Sequence, residues 1–313
     1  NGKTYKTQAD AQGKWAMKIE TPQAGGPYEL SLSDGKELKL HNILIGEVWI
    51  CSGQSNMEMP MKGFKAQPVA GTPEELMQCK DQQLRLFTVQ RNAQLHPVDT
   101  VAGDWKEADA ASVREFSAAA YYYGKTLRQS LGVPVGLIVT SWGGSACEAW
   151  INGNLIKSDW LKAFPKLHTP WNEADVKKYQ QRCPSALYNG MLHPLIGYTM
   201  KGVIWYQGES NVSRRNEYKD LLTAMIADWR QHWNRPDMPF YVIELADFLS
   251  PEDKGGRAAW AEFRKVQAEV ANTNKNVTLI KNGDLGEWND IHPLDKKTLG
   301  QRVSQAVFQQ RVK

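Results

Sequence analysis

The 313-residue sequence has few cysteines, little excess charge and no long apolar run, and each shortage excludes something. The four cysteines, Cys51, Cys79, Cys147 and Cys183, form no C-x-x-C pair and no Cys/His cluster, so a structural zinc site is not expected. Lys and Arg total 38 against 34 Asp and Glu, a surplus of 4 that sits on no single periodic face. That is too little positive field for a nucleic-acid footprint. No apolar stretch reaches the roughly 20 residues that a membrane-spanning helix needs. The chain opens at Asn1 with neither a charged n-region nor an apolar h-region. No signal peptide is visible, and because the chain starts without Met a leader or upstream segment is expected to be missing. Metal and cofactor are both expected to be absent.

Tryptophan is abundant, with 12 residues. Flat aromatic faces stack well on sugar rings, although any single Trp reads first as a packing residue. As a group they lean towards carbohydrate.

Two patterns divide the chain. In residues 1–41, Trp15, Met17 and Ile19 alternate, and Leu30 and Leu32 face Leu38 and Leu40 across Asp34-Gly35, a hairpin signal. This β-rich segment is too small to close its own core and reads as part of a larger β module. In residues 42–313, short apolar runs occur at 43–50, 84–89, 135–140, 202–206, 240–245 and 277–280. Helical patterns at 116–130, 214–233, 257–271 and 295–311 lie between or after them. Continuously apolar strands separated by helices indicate a mainly parallel sheet covered on both faces, a three-layer α/β/α sandwich.

In such sheets the loops at the carboxyl ends of the strands build the site. Those loops carry Gly53-Gln54-Ser55-Asn56, Trp142-Gly143-Gly144, Gln207-Gly208-Glu209 and Asn289-Asp290-Ile291-His292. A hydroxyl nucleophile needs a base, the base needs an orienting acid or carbonyl, and the oxyanion needs preset N–H donors. Ser55, His292, Asp290 and the Gly143-Gly144 turn can fill those roles. Taken singly, Ser55 reads as a turn residue or helix cap. It is not in a G-x-S-x-G elbow, because Met57 holds the place of the second glycine. Glu209 follows a run expected to be deeply buried. The other histidines (His41, His96, His168, His193 and His232) read as packing or surface residues.

Four blocks in order, GEVWICSGQSNMEMPM (46–61), SWGGSACEAW (141–150), LYNGMLHPLIGYTMKGVIWYQGESN (187–211) and NDIHPLDKKTLGQR (289–302), carry a family resemblance. The chain resembles the sialate O-acetylesterase family of the SGNH hydrolase superfamily, and is similar to the acetylxylan esterases of carbohydrate esterase family six. The resemblance implies an SGNH-type fold, hydrolysis of O-acetyl esters on sugars without metal and, with the missing leader, a secreted or periplasmic setting. It also implies Ser55 as nucleophile, His292 as base, and an oxyanion hole from Ser55, Gly144 and the Gln207 side chain. The wider superfamily places Asp three residues before the histidine, where this chain has Asn289. Asp290 and Glu209 therefore both stand as acid partners of His292. Trp142 and Trp288 are candidate substrate contacts, and Trp205 reads as a buried strand residue. A sialic acid would call for a cation, for which Arg91, Arg114, Arg214 and Arg215 are available. Two rival readings remain at this stage: an acetylxylan-type or short-chain esterase on the same scaffold, and a non-catalytic carbohydrate-binding protein.

Overall fold

A computed structural model describes residues 2–163 and 171–311. His168, expected to pack or lie on the surface, falls outside the described residues.

Among the described residues nine strands form two sheets: β1 (Gly25–Ser33), β2 (Glu37–Ile45), β3 (Glu47–Gly53), β4 (Asp81–Thr88), β5 (Lys106–Ala108), β6 (Val135–Ser141), β7 (Gly202–Tyr206), β8 (Phe240–Ile243) and β9 (Val277–Ile280). β1 and β2 make an antiparallel hairpin that pairs Leu30 with Leu40 and Leu32 with Leu38. Asp34 Oδ1 accepts from the Lys36 amide, and Gly35 takes φ +110°, a left-handed value suited to glycine. The alternation at Trp15, Met17 and Ile19 forms no strand, and Trp15 is exposed. No neighbouring strand meets that segment, so periodicity there has no ladder to join.

The run 43–50 is two strands rather than one. Ile43–Ile45 end β2, and β3 starts at Glu47 in a different sheet. The break falls at Gly46, where an added Cβ would lie 2.0 Å from the Pro134 carbonyl oxygen. Only glycine lets the backbones approach that closely.

The main sheet has the order β5-β4-β6-β3-β7-β8-β9, parallel except for the β4–β5 pair. β3, β6 and β7 are buried along almost their whole length, as two covered faces require. The helices Ala118–Leu131 and Lys296–Arg311 pack together, as do Arg215–His232 and Lys254–Thr273. On Arg215–His232 the stripe Tyr218, Leu222, Met225 and Trp229 is buried. Ser117 and Asp253 cap two of these helices by accepting the amides of Ala120 and Gly256.

Seven of the tryptophans are buried: Trp49, Trp150, Trp160, Trp205, Trp229, Trp233 and Trp260. The aromatic surplus is therefore mostly core, which removes most of its weight as a sugar signal. Among the described residues no helix is long and apolar enough to cross a membrane. All four cysteines are buried free thiols.

The chain leaves β3 towards β4, returns through β6, and then crosses to β7 on the other side of β3. The direction of winding reverses beside β3, and sheets of this kind hold their site at such a point, at the carboxyl ends of the strands. Ser55 lies just beyond β3, Gly143 and Gly144 beyond β6, and Gln207 to Glu209 beyond β7.

Candidate active site

Each residue from Gly53 to Glu58 has a separate task. Gly53 takes φ +142°, and an added Cβ would lie 2.0 Å from the Tyr206 carbonyl oxygen, so β3 can press against β7 only with glycine there. The Gln54 side-chain oxygen accepts from Gln207 Nε2 (3.1 Å) and from the amides of Gly208 (3.2 Å) and Ser210 (3.3 Å). That ties the loop after β7 to the loop after β3. Ser55 opens a one-turn helix, Ser55–Glu58. Asn56 donates to Glu209 Oε1 (2.7 Å) and the Ile291 carbonyl (2.9 Å), and accepts from Lys296 Nζ (2.6 Å). Met57 is fully buried. Glu58 accepts the Gly143 amide (2.8 Å) on one oxygen and Arg91 on the other.

Ser55 Oγ lies 2.9 Å from His292 Nε2. On the far side of the ring, His292 Nδ1 lies 3.1 Å from Gln67 Oε1. The Gln67 amide nitrogen donates to Asp290 Oδ1 at 2.6 Å, and the same carboxylate oxygen accepts the His292 backbone amide at 2.8 Å. An amide oxygen only accepts, so Nδ1 carries the proton and Nε2 presents its lone pair to Ser55. Phe64 packs edge-on to the imidazole at 5.2 Å. Burial, and secondarily the nearby Lys296 cation, hold the His292 pKa below its usual value, against an opposing pull from Asp290.

Of the two expected carboxylates, Asp290 lies near the imidazole and Glu209 does not bond it. Asp290 Oδ1 is 3.8 Å from Nδ1 and accepts from Gln67, whose oxygen meets the ring at 3.1 Å. Glu209 is committed to Asn56 and makes no hydrogen bond to His292. Its other oxygen is buried without a partner, and burial raises its pKa. Lys296 is fully buried, and the same desolvation pushes its pKa down to about 7. Lys296, Asn56 and Glu209 form a polar strut that joins the Ser55 turn to the His292 loop from beneath.

Gln207 also differs from its expected role as an oxyanion donor. It is fully buried, and its amide nitrogen already donates to Gln54 Oε1, Ser145 O (3.1 Å) and Asn211 Oδ1 (2.7 Å). With its N–H groups spent on those acceptors, the side chain ties the loops together. The Gly143 amide is taken by Glu58. The amides of Ser55 and Gly144 have no acceptor among the described residues. Gly144 takes φ +74°, the left-handed turn that redirects the loop after β6. A Cβ built on Gly143 would lie 3.5 Å from the Ser55 Cβ, which places that loop directly against the serine.

Of the tryptophans singled out, Trp142 is half-buried under Arg91, whose guanidinium lies 5.3 Å from the ring centroid. Trp288 is 58% exposed in the loop that leads to His292. Trp205 is buried in β7, as expected. Arg114 pairs with Glu115 and Arg215 with Glu262. His41, His193 and His232 are held by Glu29, the Val98 carbonyl and Asp228 respectively. Among the described residues no group of three His, Cys, Asp or Glu side chains is placed to hold a metal ion.

Sequence reasoning missed Gln67 and Lys296. Gln67 lies 225 positions from its histidine in a segment without periodicity. Its one trace is the unusual offset of Asp290, which leaves a gap at Nδ1 for another group. Lys296 had a clearer trace: it is a cation at the first turn of a helix, where the macrodipole disfavours it.

The serine, the histidine and the strand-end loops thus meet at one place in the fold. A family model described as carbohydrate esterase, sialic acid-specific acetylesterase, matches residues 45–309, and the chain belongs to that family. Among its relatives is human sialate O-acetylesterase, 30% identical over 92% of this chain and 59% of that protein. The rat sialate O-acetylesterase is 29% identical, covering 92% of this chain and 62% of its own length. The chain therefore spans about three-fifths of the length of these relatives. Among solved structures, a carbohydrate acetylesterase from Xanthomonas citri superposes with a TM-score of 0.82 at 36% identity, over 96% of this chain and 64% of that one.

Proposed function

We propose that this chain is a serine esterase that removes O-acetyl groups from sugars, with acetylated sialic acid as the first substrate class to test. The observation that carries the reading is the aligned row Ser55 Oγ, His292 Nε2, His292 Nδ1 and Gln67 Oε1, with contacts of 2.9 and 3.1 Å. Family membership and the acetylesterase relatives support the acetyl group and the sugar.

In this reading Ser55 Oγ attacks the acetyl carbonyl carbon as its proton passes to His292 Nε2. The carbonyl oxygen becomes an oxyanion held by the amides of Ser55 and Gly144, which have no acceptor among the described residues. Collapse breaks the bond to the sugar oxygen, which leaves with the proton from His292. Water then attacks the acetyl-enzyme, giving its proton to His292, and acetate leaves as Ser55 recovers its hydroxyl. Asp290 acts through Gln67, which holds the tautomer and spreads the charge of the imidazolium. The amide in that position is neutral, so the ring gains less stabilisation of its charged form than a direct carboxylate would give.

Trp288, exposed in the histidine loop, is the surface assigned to the sugar ring. Exposed Trp15, Ile19, Leu38 and Leu40 fit the hairpin and the segment before it as part of a larger β module. A secreted or periplasmic setting suits the acetylated glycans that such an enzyme would meet. The test is acetate release from O-acetylated sialic acid and from acetylated xylan, with Ser55→Ala alongside. Release from the sialic acid supports the reading, and release from xylan alone moves the substrate to plant polysaccharide. Release from neither removes the assignment to sugars.

A further inference from the structure

The loop that packs on Ser55 also touches a cation. A Cβ on Gly143 would lie 3.5 Å from the Ser55 Cβ, and a Cβ on the next residue, Gly144, would lie 4.0 Å from Arg182 Nη2. One backbone step therefore separates the serine's neighbour from a guanidinium. Arg182 ends the short 3-10 turn Gln180–Arg182 and is followed by fully buried Cys183, whose amide bonds the Gln180 carbonyl at 3.0 Å. Its backbone is anchored while its head is exposed.

Arg182 lines a cleft with Ala146, Ser210 and Arg214. The lining has two guanidiniums, one hydroxyl and no carboxylate. Arg214 is bound to Glu148 and Glu217, and Arg91 is bound to Glu58. Arg182 makes no ion pair among the described residues. An exposed arginine that shares the Gly143-Gly144 turn with the serine, and has no ion pair among the described residues, is open to a ligand anion. Its planar fork matches a carboxylate, and Ser210 can add a neutral donor.

The geometry points to a carboxylate-binding subsite at Arg182, beside Ser210 and Arg214, that takes the acid group of an acidic sugar whose acetyl ester lies at Ser55. This rests on the esterase reading of Ser55. It adds the selection of an acidic sugar over a neutral one, a choice that the Ser55–His292 pair cannot make.

The experiment compares kcat/KM for acetate release from O-acetylated sialic acid and from the same sugar with its carboxylate blocked as the methyl ester. Wild type, Arg182→Gln and Arg182→Lys are assayed at low and high salt. Wild type is expected to favour the free acid about tenfold or more, mainly through KM, as a charge-assisted contact implies. Arg182→Gln should bring the ratio to within about twofold of unity, Arg182→Lys should keep part of it, and salt should erode it in wild type. No preference in wild type, or a preference untouched by Arg182→Gln, would overturn the subsite while leaving the esterase reading intact. Ser55-dependent hydrolysis of p-nitrophenyl acetate with no release from either sugar would also overturn it alone. Loss of all Ser55-dependent hydrolysis would remove both readings.

Discussion

Gln67 stands between His292 and Asp290. Its oxygen is 3.1 Å from Nδ1 and its nitrogen 2.6 Å from the Asp290 carboxylate, whereas Asp290 itself is 3.8 Å from the ring. Nδ1 thus faces an amide that is itself held by a carboxylate.

Gln67→Ala would leave Nδ1 without its acceptor and free the imidazole to adopt the wrong tautomer. We expect kcat to fall about ten- to a hundredfold, short of the loss when a directly bonded acid is removed, because Asp290 stays nearby. Steady-state kinetics with a fixed acetyl ester checks this. An unchanged kcat would mean that Gln67 does not orient the ring.

The acid limb of kcat/KM should have its midpoint below 6.5. Only neutral His292 can take the serine proton, and burial with Lys296 holds its pKa below the usual value, so activity persists into mildly acidic solution. Lys296→Met removes the cation that disfavours imidazolium. His292 then protonates more readily, and the limb should move to higher pH. A limb that moves to lower pH, or stays where it was, contradicts the electrostatic role given to Lys296.

Gly53→Ala should destabilise the whole fold. Its Cβ would press on the Tyr206 carbonyl at 2.0 Å, and φ +142° is strained for alanine, so β3 and β7 would have to part at the centre of the sheet. A loss of about 3 kcal/mol or more is expected, read as a lowered midpoint in urea. A midpoint equal to that of wild type would show that the strands can yield there.

The architecture was legible in the sequence wherever burial was continuous. β6, β7 and β9, and the helices Ala118–Leu131 and Arg215–His232, fall within two residues of their expected bounds because apolar runs and stripes mark them. β5 was not visible. Lys106–Ala108 is a three-residue antiparallel edge with mixed exposure, and pairing with β4 alone sets it. Trp15 to Ile19 erred the other way, with alternation but no partner.

Legibility of the site had a similar limit. The Ser55–His292 contact was readable because the chemistry names its residue types and strand ends say where they meet. The roles of Gln207 and Glu209 were not readable, since a Gln that braces and a Gln that binds substrate look alike until their hydrogen bonds are traced. Gln207 spends its amide on Gln54, Ser145 and Asn211, and Glu209 spends one oxygen on Asn56.

The most direct test of the account is intact-mass and peptide mapping after treatment with a fluorophosphonate, followed in parallel by acetate release. We predict one adduct per chain, on Ser55, forming at the rate at which activity disappears, and none on Ser55→Ala. Activity that survives full labelling of Ser55, or disappears with the adduct on another residue, would contradict the assignment of Ser55 as the nucleophile.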